Sequence, residues 1–325
     1  MSDPMKVLIA YDGSSGADAA LADLPRAGLP RVAEALILSV ADVFLPPQSS
    51  PAPAFPAQVP AAVQRAWAQA TQAVEEARAL ALQARAHVLT AFPAWDVRAE
   101  TCADAPAWAV IKQADTWQPD MIVMGSHGRS AMGRLLLGSV SHKVLTEAHC
   151  SVRVGRRPYQ TDEAPLHLLI GVDGSADAEA AVHAVAMREW PPGSAIRLVT
   201  ALDARTYTAL AFTHLPRGTG TAAKNETEST WVSDLVEAMA APLRTRGLTV
   251  SSVVTEGDPK HVLLNEAEHW QADGIFVGAR GLSRVERFLL GSVSAAVAAR
   301  AHCSVEVVRT SRKICLDRTS EVALG

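Results

Sequence analysis

The feature that most constrains this sequence is that one unit is written in it twice. Residues 125–156 and residues 278–309 are identical at 18 of 32 positions. Near the start of each copy, "VLIAYDGS" at residues 7–14 resembles "LLIGVDGS" at residues 168–175. Repetition on this scale indicates a duplicated structural unit, and a chain of 325 residues has the length of two domains. We therefore predict tandem domains over residues 1–157 and 158–325.

Strand-like and helix-like segments alternate within each copy. "KVLIAY" at residues 6–11 and "MIVMG" at residues 121–125 are short apolar runs, typical of parallel strands that are buried on both faces. Strands that alternate with helices form right-handed βαβ units. The pattern predicts an α/β fold with two doubly wound, mostly parallel five-stranded sheets. Residues 46–60 contain six prolines and predict an extended connector inside the first copy.

Composition excludes several classes of protein. The net charge is −4 and no basic block is present, which argues against a nucleic-acid partner. No apolar run reaches the roughly 20 residues that span a bilayer, and no signal peptide is visible. The four cysteines form no CxxC pair, which favours a reducing cytoplasm. No catalytic residue and no metal ligand is predicted, because the sequence offers no Ser-His-Asp set, paired acids or metal cluster.

A glycine loop follows the fourth strand of each copy. In the first copy it comprises Gly125, Gly128 and then Gly138-Ser139, where a helix is expected to begin. Ligands of parallel α/β sheets bind at the carboxyl ends of strands. Glycine lets the backbone approach a phosphate and adopt positive φ, and a helix N-terminus binds anions. Arg134 and Leu135 stand where a Walker A motif requires Lys and Ser/Thr, so that motif is excluded.

Simpler interpretations of these residues stay open. The loop could be a tight turn that holds no ligand, and Asp12 and Asp173, which end the first strands, could serve to cap the following helices.

The pattern G-x-x-G, nine residues, G-S after a strand resembles the signature of the universal stress protein family. The first strand of each copy ends in aspartate as in that family, and "EGDP" at residues 256–259 is also similar. The resemblance covers nearly the whole chain and implies a Rossmann-like fold of the adenine nucleotide α-hydrolase type. It implies ATP as the ligand, with Mg²⁺ left open, in a regulatory protein. Two alternatives are a stress scaffold that acts by protein contacts without nucleotide, and a slow ATPase.

Binding residues follow from the resemblance, position by position. Those in the first copy are Ala10, Asp12, Val40, Met124, Gly125, Gly128, Arg129, Gly138, Ser139 and Ser141. Those in the second are Gly171, Asp173, Thr200, Val277, Gly278, Gly281, Gly291, Ser292 and Ser294. Two departures distinguish the copies. Residues 104–106 read "DAP" where the family has Gly-Asp-Pro, and Thr200 replaces the apolar residue expected against adenine in the second copy.

The last strand of each copy is the edge through which the resembled family dimerises. Here the two edges belong to one chain, so we expect them to pair around a pseudo-twofold axis and cover each other. Arg153 in the first copy corresponds to Glu306 in the second, and this opposite charge favours pairing of the unlike domains. A homodimer of the whole chain is also compatible with the pattern.

Overall fold

The structure, a computed structural model, describes residues 3–43, 60–128, 137–156, 164–203, 224–281 and 290–310. Of residues 224–231 it describes the helical backbone alone. The strands are β1 Met5–Ala10, β2 Ala33–Ala41, β3 Asp96–Ala103, β4 Met121–Gly125, β5 Ser151–Gly155, β6 His167–Gly171, β7 Ala195–Leu202, β8 Thr249–Glu256, β9 Gly274–Gly278 and β10 Ser304–Val308. The α-helices are α1 Ser15–Asp23, α2 Ala61–Ala91, α3 Pro106–Trp117, α4 Ser139–Glu147, α5 Ala176–Ala186, α6 Lys224–Thr245, α7 Pro259–His269 and α8 Ser292–Arg300.

The strands form one ten-stranded sheet in the order β3-β2-β1-β4-β5-β10-β9-β6-β7-β8. Within each half, all neighbouring strands are parallel. The order reverses direction between β1 and β4 in the first half, and between β6 and β9 in the second. These switch points are where open α/β sheets bind ligands. The predicted α/β fold with two mostly parallel sheets is confirmed, and the two sheets join at β5 and β10.

The short apolar runs become strands buried on both faces. Val7, Leu8 and Ile9 of β1 are all at most 1% exposed. One face of the sheet carries α1 and α2 in the first half, and α5 and α6 in the second. The opposite face carries α3, α4, α7 and α8, and its core runs without interruption across both halves. The two halves therefore share one hydrophobic layer.

Strands β5 and β10 lie antiparallel, with Glu306 opposite Arg153. Both side chains are buried, and Arg153 donates from Nε to Asp23 at 2.7 Å and from Nη1 to Glu306 at 3.3 Å. Arg188 completes the group by donating from Nη1 to Glu306 at 2.8 Å. Two carboxylates and two guanidinium groups thus neutralise each other. Burial without partners would raise the pKa of Glu306, but the two arginines reverse this and hold the pKa below its usual value.

Two further arginines bridge the halves in a reciprocal way. Arg156, just after β5, donates to the carbonyl oxygen of Ala298 in α8. Arg309, just after β10, donates to the carbonyl oxygens of Leu145 in α4 and of Cys150. Each guanidinium therefore satisfies carbonyl groups at or beyond the C-terminal part of a helix in the other half, where positive charge is favourable.

Some predictions fall outside the described residues. The domain boundary between residues 157 and 158 lies in an undescribed segment, as does most of the proline-rich stretch 46–60, and both stay predictions. In the part of the chain that is described, no helix combines the length and apolar character needed to cross a membrane.

Candidate functional site

A cavity of about 680 Å³ opens at the carboxyl ends of β1, β2 and β4 in the first half. It lies at the switch point of the sheet, between α2, α3 and the start of α4. Eight of the first-copy residues predicted to bind nucleotide line it: Ala10, Asp12, Val40, Met124, Gly125, Gly128, Ser139 and Ser141. Gly138 is not part of the lining but directly precedes Ser139, which is, and Arg129 lies outside the described residues. The volume falls within the roughly 300–1,000 Å³ that is usual for small-molecule sites.

Asp12 organises the turn that leads into α1. Its Oδ1 accepts the backbone N–H of Ser14 at 3.0 Å. Ser14 is the N-cap residue, since its hydroxyl oxygen accepts the N–H of Ala17 at 3.1 Å, and the same hydroxyl donates to the carbonyl oxygen of His127 at 3.1 Å. The interpretation of Asp12 as the capping residue is therefore wrong. Ser14 caps the helix, and Asp12 positions Ser14 by accepting its backbone N–H. The second carboxylate oxygen of Asp12 faces Gly128.

The glycines of the loop act through close packing. A Cβ on Gly125 would lie 2.6 Å from the backbone nitrogen of Ala17, so β4 can approach α1 only without one. A Cβ on Gly128 would lie 2.9 Å from Oδ2 of Asp12. The expectation of positive φ in this loop is wrong for Gly125, which is part of β4, and for Gly138, whose φ is −62°. Positive φ occurs instead at Gly13, with φ 73°, in the turn after β1.

Helix α4 begins at the cavity with its N-terminus uncapped by any side chain. Gly138 is the N-cap residue and donates its N–H to the carbonyl oxygen of Ser126 at 2.8 Å. Ser139, the first helical residue, is exposed and lines the cavity. Ser141 is buried and donates its hydroxyl to the carbonyl oxygen of Gly125 at 2.8 Å. Ser139 is thus placed to meet a ligand, whereas Ser141 joins α4 to the end of β4.

Two residues at the cavity were missed by the sequence reasoning. Trp108, which carries no motif in the sequence, lines the cavity and is 53% exposed. Lys143 also lines the cavity, with its Nζ 4.1 Å from the centroid of the Trp108 ring and 3.1 Å from Glu147. Residues four apart lie on one face of a helix. The spacing of Lys143 from Ser139 was therefore a signal that could have found it.

The main-chain framework of the loop recurs in the second half. Asp173 accepts the N–H of Ser175 at 2.9 Å, and a Cβ on Gly281 would lie 2.7 Å from Oδ2 of Asp173. Gly291 donates its N–H to Ala279 at 2.7 Å. Five further predicted residues of this copy lie at the ends of β6 and β9 and at the start of α8. They are Gly171, Val277, Gly278, Ser292 and Ser294.

Strand register changes the interpretation of Thr200. In the first half Ala10 pairs with Leu38, and in the second half Gly171 pairs with Val199. Thr200 therefore corresponds to Ser39, and the residue that corresponds to Val40 is Ala201. Because successive strand residues face opposite sides of a sheet, Thr200 and Ala201 point to opposite faces. The residue of the second copy that corresponds to Val40 is therefore apolar, as the resemblance leads one to expect.

The contacts of Arg280 distinguish the second loop from the first. Its guanidinium donates to Asp177 from Nε at 2.8 Å and from Nη2 at 3.0 Å, and its backbone N–H donates to the same carboxylate at 3.1 Å. Thr310 adds a hydroxyl at 2.9 Å. Burial alone would raise the pKa of Asp177, but these hydrogen bonds outweigh burial and lower it.

Comparisons with known proteins agree with this architecture. The sequence profile of the universal stress protein family matches residues 4–156 and again residues 166–309. A universal stress protein of Mycobacterium tuberculosis is 33% identical over 197 residues, which is 60% of this chain and 63% of the relative. The chain thus matches somewhat less than two thirds of that relative's length.

A solved structure shows the same fold over nearly the whole chain. A universal stress protein from Archaeoglobus fulgidus matches with a TM-score of 0.57 and 19% identity, covering 94% of this chain and 98% of its own. A universal stress protein solved in complex with cAMP matches 46% of this chain and 99% of its own, with 25% identity and a TM-score of 0.31; the ligand is a property of that protein. Since the family profile covers well over half of the sequence, in two tandem copies, the chain belongs to the universal stress protein family.

Proposed function

We propose that this protein binds an adenine nucleotide, ATP, and that it acts by binding rather than by catalysis. The observation that carries the proposal is the cavity of about 680 Å³ at the switch point of the first sheet. Its lining combines an apolar floor, a main-chain loop without Cβ atoms at key points, and the free end of a helix. Such a site offers an apolar surface to a base and N–H groups to phosphates.

Each part of the nucleotide has candidate contacts in the first half. Ala10 and Val40 offer apolar surface to the base, and Asp12 lies where ribose hydroxyls would need an acceptor. The phosphates would meet the backbone of Gly128 and the N–H groups that begin α4 at Ser139. Lys143 supplies the positive charge that a polyphosphate requires.

The room for ATP is the cavity of about 680 Å³ itself, and glycine at position 128 lets the loop lie against the Asp12 carboxylate at its edge. Mg²⁺ would be carried by the phosphates, because no group of three His, Cys, Asp or Glu residues that could hold a metal occurs among the described residues. Bound nucleotide would add negative charge at the start of α4, which is a regulatory rather than a chemical contribution.

The test is direct binding to the full chain. Mass spectrometry of the protein denatured after purification should release an adenine nucleotide, and titration of the stripped protein with ATP, with and without Mg²⁺, should show saturable heat. Lys143→Ala should weaken binding about three- to tenfold, from loss of one partly screened charge. Lys112→Ala, on an exposed part of α3, is the matched control and should leave binding unchanged.

Absence of ATP binding in both experiments would favour the ligand-free scaffold instead. Phosphate release that scales with protein concentration and is lost in Ser139 and Gly128 variants would favour the slow ATPase.

We also propose that the two halves stay paired within one chain in solution. The supporting observation is the buried, electrically neutral contact between Arg153 and Glu306 at β5 and β10. In a sedimentation experiment on the full chain, β5 and β10 should then be unavailable for association with other copies, because they already pair with each other. Any homodimer would use a different surface. A double-cysteine pair placed across these strands should crosslink within one chain, and crosslinking between chains would contradict the proposal.

A further inference from the structure

The two loops share a framework, but their surroundings differ at the floor of the site. In the first half Ala10 and Val110 both line the cavity. In the second half the corresponding residues are Gly171 and Leu263. The methyl carbons of Leu263 lie 3.1 and 3.3 Å from where a Cβ of Gly171 would be. Leu263 is only 4% exposed, and its methyl groups take the place that the Ala10 side chain has in the first half.

The long helices α2 and α6 differ in the size of their buried side chains. The buried residues of α2 are mostly alanines: Ala70, Ala77, Ala81, Ala84 and Val88. Ala73, Ala77 and Leu80 of this helix line the cavity. The buried residues described in α6 are larger: Val232, Val236, Met239, Ala240 and Leu243. Leu235 of α6 also packs 3.4 Å from the Cβ position of Gly174, in the turn after β6. The described buried side chains are thus small in the helix beside the first cavity and larger in the corresponding helix of the second half.

The charged groups differ as well. Position 143 in the first half is a lysine that lines the cavity, while the matching position in α8 is Ala296. Both cations have an acidic partner: Arg280 is held by Asp177, which is only 3% exposed, whereas Lys143 pairs with Glu147, which is 38% exposed. In the first half Gly16 occupies the position of Asp177, and a Cβ there would lie 2.3 Å from the carbonyl oxygen of His127. The second loop is therefore held by an ion pair from its own chain, and it lacks the lysine that a polyphosphate would meet.

We infer that the two sites are inequivalent: one nucleotide binds per chain, in the first half, and the second half retains the loop as a structural element. The inference rests on the proposed function and specifies its stoichiometry. In this arrangement Asp177 and Arg280 replace the ligand as the contact that holds the second loop to α5 and, through Thr310, to the end of β10.

Matched substitutions at the two helix starts separate the sites. Ser139 and Ser292 are both the first residue of a helix and both exposed. A glutamate there is favourable to the helix dipole and should not disturb folding, but it repels a phosphate at the same position. The variants are Ser139→Glu and Ser292→Glu in the full chain, with thermal melting to verify that each is folded.

Isothermal titration with ATP should give one site per chain for the wild type. Ser139→Glu should weaken that binding at least about tenfold, and Ser292→Glu should change it less than about twofold. Two sites per chain, or a single site that is lost in Ser292→Glu and kept in Ser139→Glu, would overturn the inference and leave nucleotide binding itself intact. A wild type that binds no ATP would instead remove the proposed function, so the two failures are distinguishable.

Discussion

Glu306→Gln should destabilise this protein strongly, although it changes few atoms. Glu306 is fully buried and accepts hydrogen bonds from Arg153 and from both terminal nitrogens of Arg188. Glutamine has nearly the same volume, but it removes the negative charge and turns an NH₂ group toward a guanidinium. Removing one partner of a buried ion pair costs about 3–5 kcal/mol. Asp23 remains to balance Arg153, so the loss falls mainly on Arg188, and we expect about 3 kcal/mol at pH 7.

The cost of Glu306→Gln should depend on pH in a definite direction. The pKa of Glu306 is lowered in the folded protein, so its contribution is complete above the unfolded value near 4.5 and declines as pH falls through the lower folded value. The difference in unfolding free energy between wild type and Glu306→Gln should therefore be constant at neutral pH and shrink in acid below about pH 4.

Urea denaturation followed by circular dichroism measures the effect, provided that the m-value is unchanged. Glu266→Gln is the matched control, because Glu266 binds Arg197 at 2.6 Å but both side chains are partly exposed, 22% and 25%. Such a pair contributes at most about 1 kcal/mol. If Glu306→Gln cost no more than this control, or if its cost grew in acid, the reasoning about the buried cluster would be refuted.

Three other predictions follow from the same structure. Gly125→Ala should lower the unfolding free energy by about 1–3 kcal/mol or prevent soluble expression, because the new Cβ meets the backbone of α1. Gly138→Ala is the control and should be tolerated, since the nearest atom to its Cβ position is 3.4 Å away. Equal melting temperatures for the two variants would contradict this prediction. Arg309→Met and Arg156→Met should each cost about 1–3 kcal/mol in urea denaturation, since each leaves buried carbonyl groups of the other half unpaired; wild-type midpoints would show that these bridges contribute nothing. Cys150, whose pKa burial raises to about 12, should resist iodoacetamide at pH 8 in the folded protein and react in urea, because the thiolate is the nucleophile; rapid labelling of native protein, read by mass spectrometry, would be the opposite result.

Several features of the fold could be predicted from local pattern alone. Apolar runs such as residues 6–11 and 121–125 appear as strands because period and hydrophobicity act over a few residues. Duplication then extended every such prediction to the second half. The glycine spacing likewise predicted which residues would gather at one edge of the sheet, since the carboxyl ends of parallel strands must meet there.

The details of the site depended on contacts between distant segments. A sequence alignment matched Thr200 with Val40, and only the pairing of β6 with β7 shows that the match is one residue out of register, which reverses the side of the sheet that Thr200 faces. Trp108 and Lys143 come together from α3 and α4, which no local pattern connects.

The sequence by itself determined the class of fold, the duplication and the candidate loop, because these depend on periodicity and on residues close together in the chain. Tertiary structure decided that the first loop borders a cavity, because the size of a cavity depends on how side chains from separate elements fill it. Leu263 reads as an ordinary helix residue in the sequence, yet it occupies the floor above Gly171. Asp177 likewise appears as one more acid at a helix start until Arg280 is seen to bind it.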